Sequence, residues 1–237
     1  MNIPNVILLL ALFAVAGFPS TPAQSQSLPF APDPSPNTTV TSPILPHQAY
    51  VRPTQKTQLS NFAFDAFGPY PIVGSAVAAG VNQFTNSPPE WNQGMEGYGK
   101  RFGSDFGIAA VVTTTRYALA EALREDTLYY RCACRGVVPR LGHAIFSTLT
   151  ARHGADGHVV FSIPALVAPY AGSMTAVYGW YPDRFGAKDA FRIGNYSLLT
   201  YAGGNIALEF LYSGPHSLLS RMHLNNTHGA LDPGPNH

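Results

Sequence analysis

A line of small residues constrains this chain more than any other feature. Residues 97–123 read GYGKRFGSDFGIAAVVTTTRYALAEAL, in which Gly99, Gly103, Gly107, Ala110, Thr114, Ala118 and Ala122 recur every three or four positions. That spacing places them along one side of an α-helix. Small residues bury little apolar area, but they let a second backbone approach closely. A long helix is therefore expected from about residue 95 or 100 to residue 130, with Gly99, Gly103 and Gly107 as its packing face. A second line, Ala165, Ala168, Gly172, Ala176 and Gly179, runs through the charge-free stretch 157–182. It makes Gly172 and Ala176 packing positions of another helix, with Pro169 inside it as a source of bending.

Other stretches carry helix signals as well. Pro71 opens the run IVGSAVAAGVNQF at a first helical turn, and Pro88-Pro89 cannot continue it. Residues 140–163 admit two readings. Pro139 and Gly154 bracket a helix through Leu141, Ile145 and Leu149, whereas AIFSTLTA, HGADG and HVVFSI fit a hairpin; the brackets favour the helix. NYSLLTYAGGNIALEFLY reads as a last long apolar helix with a lone Glu209, a candidate partner for Arg116. The expected fold is mainly α, a compact bundle of about five Gly/Ala-rich helices, with room for a short β-hairpin near 144–163.

The domain organisation follows from composition shifts. Residues 6–18, VILLLALFAVAGF, have the length of a signal-peptide core, and small residues at cleavage spacing follow, so 1–25 is read as a signal peptide. Residues 26–58 are rich in Pro, Ser and Thr and are read as a disordered leader. A single helical domain over 59–224 and a disordered tail over 225–237 complete the chain. Charged residues make up 11%, against roughly 25% in an ordinary soluble domain. The formal net charge of +1 supplies no basic field for nucleic acid. Lys and Arg occur in every major connector, so the topology bias of a multi-span membrane protein is missing.

Few residues form a recognisable chemical constellation. Cys132 and Cys134 are the only cysteines, and in an exported chain they are expected to pair. A bridge across one residue closes a small ring, yet the C-x-x-C spacing of redox motifs is missing, so structural pairing is the preferred reading. His153, Asp156 and His158 could supply three metal ligands, with His143 upstream, although HGADG is also ordinary turn chemistry. His216 and His223 would share a face of a short C-terminal helix. No motif for nucleophilic catalysis, zinc hydrolysis or phosphate binding is present, and no cofactor is assigned.

The blocks GYGKRFGSDFG, YGWYPDRFG and FLYSGPHSLLSRMHLNN, within residues 64–226, resemble an uncharacterised family of exported bacterial proteins. The resemblance implies export and one folded unit, and it brings no activity, ligand or catalytic residue. The leading expectation is a non-enzymatic protein of the cell envelope, periplasm or exterior, structural or interaction-type, contacting membrane or envelope proteins. The rivals are an exported metal-dependent enzyme built on His153, Asp156 and His158, and an integral membrane protein with spans near 72–84, 106–123, 159–181 and 193–212.

Overall fold

The structure, a computed structural model, describes residues 50–211 and 228–233. Helices dominate it. In chain order they are α1 (Gln55–Phe67), α2 (Pro69–Phe84), α3 (Gly94–Ala122), α4 (Val137–Phe146), α5 (Ile163–Gly179) and α6 (Ala187–Leu211), with a 3-10 turn at Pro89–Trp91. Short strands β1 (Glu125–Asp126), β2 (Tyr130–Arg131), β3 (Thr150–His153), β4 (His158–Phe161) and β5 (Ala230–Leu231) lie between and after them. The expectation of a mainly α fold with a small β element holds.

Helix α3 is the spine, packed against α2 on one side and α5 on the other, and α6 covers α5. The core is small: Ile108 and Val112 of α3 meet Ala168 and Ala176 of α5, with Tyr181, Ile193 and Tyr201 packed around them. Gly172 explains how close α5 comes. A Cβ at that position would collide with Val112 Cγ2 and lie 3.0 Å from the carbonyl oxygen of Ile108. The α5 small-residue line is thus a real packing face, with Ala165, Ala168, Gly172 and Ala176 all buried.

The α3 line is not. Gly99 and Gly103 face open space, with no atom within 4 Å of a would-be Cβ, and Gly107 meets only the edge of the Trp180 ring, at 3.4 Å. The face that turns inward carries Gly97, Arg101, Ser104, Ile108 and Val112 instead. Polar side chains go in because their needs are met there. Arg101 is fully buried and donates to the carbonyls of Ser87, Pro88 and Asn92 and to Gln83 Oε1, fastening the turn after α2 to α3.

Several boundaries differ from the sequence expectation. Helix α3 stops at Ala122, because Arg124 adopts a positive φ of 56° and the chain turns into β1. The stretch after Pro139 is divided rather than wholly helical. Helix α4 ends at Phe146, and β3 and β4 form an antiparallel hairpin in which Ala151 faces Val160 and His153 faces His158. Gly154 and Gly157, both at positive φ, make its turn instead of stopping a helix.

The folded part also begins earlier than residue 59. Thr54 caps α1 through its side chain, and Tyr50 is buried. It extends into the expected tail, where β5 pairs in parallel with β2. Among the described residues no helix is long and apolar enough to cross a membrane, so the spans expected at 72–84, 106–123, 159–181 and 193–212 are not met. The signal-peptide expectation, most of the leader, and His216 and His223 lie outside the described residues.

Candidate functional site

Charge is scarce in this chain, so the places where it is buried stand out. Apart from Arg101, they cluster where the short strands join the helical spine. Asp126, at the end of β1, accepts hydrogen bonds on Oδ2 from Tyr50 (3.0 Å) and Tyr130 (2.7 Å). On the neighbouring strand, opposite Asp126, Arg152 lies over the rings of Tyr50 (5.3 Å) and Tyr130 (5.4 Å). Its guanidinium donates to the carbonyl of Gly157 at 2.6 Å and pairs with Asp232 beyond β5. Burial first, and the Asp126 charge second, push both phenols well above the ordinary tyrosine range, so they remain donors. Gly157 is required twice over: its φ is +69°, and a Cβ there would enter the Tyr50 ring.

A second centre is built on Glu209, the lone acid near the end of α6. It is wholly buried, and Arg140 Nε binds Oε1 at 2.7 Å. Oε2 accepts from Tyr129 Oη (2.7 Å) and from the backbone N–H of Cys132 (3.0 Å). Arg140 also donates to the backbone carbonyl of Glu209 and lies over the Phe210 ring at 4.7 Å. Burial opposes ionisation, but Arg140, Tyr129 and the Cys132 amide together hold the carboxyl below the usual glutamate range. The sequence expectation of an Arg116 partner is corrected: Arg116 lies over the Tyr201 ring, at 5.1 Å.

A third carboxylate, Asp65, accepts from Tyr117 Oη at 2.6 Å and bonds His228 Nε2 at 3.0 Å. His228 Nδ1 in turn accepts the N–H of Tyr129 at 3.3 Å. Beside the local Tyr130–Asp126 and Arg152–Gly157 bonds, the three centres tie together residues 52 (Asp65 and Tyr117) to 163 (Asp65 and His228) positions apart in sequence. Their acids are bound by donors. That arrangement holds the fold together and leaves no carboxylate of the three poised as a general base.

The residues singled out from sequence fall in two places. Cys132 and Cys134 form a disulfide, half-buried, in the link between β2 and α4 and directly beside Glu209. His153 and His158 face each other across the hairpin with ring centroids 5.2 Å apart, and His158 Nδ1 bonds Asp156 Oδ2 at 2.8 Å. Among the described residues no group of three His, Cys, Asp or Glu side chains is placed to hold a metal ion. His143, upstream of that set, bonds the carbonyl of Tyr130 through Nε2 at 2.9 Å.

Sequence reasoning missed the Asp126 centre altogether. Asp105 was legible as an acid on the long helix that needs a partner if buried, but the partner was not: Asn82 donates to it at 3.2 Å, and burial pushes the carboxyl up to about 7 against the pull of Asn82 and of Arg101.

Large apolar side chains, by contrast, cover much of the outside. Ile72, Val73, Val77 and Phe84 project from α2, with Phe84 86% exposed. Val137, Val138, Leu141, Ile145 and Phe146 project from α4, while Ala144 is buried and Arg140 and His143 reach the polar centres. No family model, no curated protein and no solved structure matches the chain.

Proposed function

We propose that this chain is an exported, non-enzymatic protein of the cell envelope, of the structural or interaction type. The observation that carries the reading is the pair of outward apolar faces on α2 and α4. Residues 68–89 hold no charged side chain, and α4 is amphipathic with its apolar side turned outward, the reverse of an ordinary core helix. Contiguous apolar surface of that kind marks interaction sites in folded proteins. Export is supported by the apolar run of residues 6–18.

The test is fractionation after expression with the native leader, followed by an alkaline carbonate wash of the envelope fraction. The protein is expected with the envelope and in the carbonate supernatant. Recovery in the cytosol, or free in the medium with no envelope-bound fraction, would overturn the reading.

A further inference from the structure

The link between β2 and α4 does more than join two elements. Its two cysteines are bridged across a single residue, Ala133, and neither is fully buried. The backbone N–H of Cys134 donates to Cys132 Sγ at 3.2 Å, so one of the two sulfurs carries a fixed hydrogen-bond donor. Helix α4 begins at Val137, three residues beyond Cys134, with no side-chain cap and no acidic residue in its first turn. Its free N–H groups add positive potential on that side. The Glu209 carboxylate, which accepts the Cys132 N–H, is matched by Arg140.

We propose that Cys132–Cys134 is a redox-active disulfide that oxidises one dithiol per chain by stoichiometric exchange, a property beyond the contact role proposed above and independent of it. A substrate thiolate attacks Sγ of Cys134, the Cys132–Cys134 bond breaks, and Cys132 leaves as a thiolate held by the Cys134 N–H. The second substrate thiolate then attacks the substrate sulfur of the mixed disulfide and releases Cys134. The substrate loses two electrons and two protons and becomes a disulfide; the site gains both and becomes a dithiol. The N–H donor stabilises the departing thiolate, which is why the sulfur carrying it is the one that departs.

The surroundings suit repeated opening of this bridge. On one side, β2 is held to β5, and Arg131 Nε donates to the carbonyl of Gly229 at 2.7 Å. On the other, α4 is held through Arg140 to Glu209. Both ends of the link stay anchored when the disulfide opens, so the thiols remain neighbours and the fold does not depend on the bridge.

The full chain is equilibrated with mixtures of reduced and oxidised glutathione, trapped by alkylation and weighed, with circular dichroism recorded in parallel. The dithiol form is expected to appear in the folded protein as reduced glutathione rises, with the helical signal unchanged. One equivalent of dithiothreitol should be oxidised per chain. As a second measurement, iodoacetamide should modify Cys132 in Cys134→Ser about tenfold faster than Cys134 in Cys132→Ser at pH 7. A disulfide that survives excess reduced glutathione until the chain is denatured overturns the proposal. So do cysteines that stay reduced under air, or equal rates in the two variants.

Discussion

Gly172 of α5 lies against Val112 of α3 so closely that no side chain fits between them: a Cβ on Gly172 would take the space of Val112 Cγ2. This is the tightest point of the helical core, and it sets the distance between the two helices that enclose it. Gly172→Ala is therefore expected to destabilise the fold by about 1–3 kcal/mol through overpacking. Gly103→Ala, on the open face of the same α3, should instead stabilise by about 0.5–1 kcal/mol through helix propensity. Urea unfolding of the two variants side by side checks both signs.

Asp105 gives the fold a pH dependence opposite to that of most carboxylates. Its folded pKa is raised from 3.8 to about 7, so the native state binds a proton that the unfolded chain has released. Stability from this group is full below about pH 4 and falls as pH rises through about 7. Asp105→Asn keeps a neutral acceptor for Asn82 and removes the burial penalty. It should stabilise by on the order of 2–4 kcal/mol at pH 8 and by little near pH 4. Melting temperatures across that range, for parent and variant, read the difference directly.

Glu209 behaves in the usual direction. Its carboxyl is held below the ordinary value, so its contribution is present above the unfolded pKa and lost as pH falls through the lower folded one. Removing the charge leaves Arg140 without its partner and weakens the anchoring of Tyr129 and the Cys132 amide. Glu209→Gln should cost about 3 kcal/mol, the range seen when one member of a buried ion pair is removed. Denaturant titration at pH 7 is the measurement, and a loss under about 1 kcal/mol would contradict the assignment.

The outward faces predict the reverse pattern, a loss of location without a loss of fold. Phe84→Ser and Val138→Ser change side chains that are 86% and 79% exposed, so each should alter stability by no more than about 0.5 kcal/mol. Combined, they should move the protein from the envelope fraction to the soluble one. Equal retention of the double variant and the parent would show that these faces are not the contact surface.

Helical spacing told which residues share a side of α3 and α5, but not which side turns inward. On α5 the small line and the buried line coincide from Ala165 to Ala176, and only the terminal Gly179 is exposed. On α3 they lie on opposite sides, because Arg101 and Ser104 satisfy their polarity within the fold and bring Ile108 and Val112 in with them. Glu209 was legible as a lone acid in an apolar helix, yet its partner was not, since Arg140 sits 69 positions away and no local pattern links the two. The Asp126 centre left no trace in sequence for the same reason: Tyr50 lies 76 positions from Asp126, and Arg152 lies 80 from Asp232. Proline and glycine marked the breaks between elements well. They could not say whether Gly154 ends a helix or turns a hairpin, because a positive φ serves both.

Strand β5 has a consequence for the order in which the chain matures. It pairs with β2 across about a hundred residues, and Asp232 just beyond it pairs with Arg152. A nascent chain lacks that partner until residue 232 has left the ribosome, however early the helices form. The contacts of β5 are therefore the last to close, and a chain cut before β5 would lose the Arg152–Asp232 pair and the β2–β5 pairing.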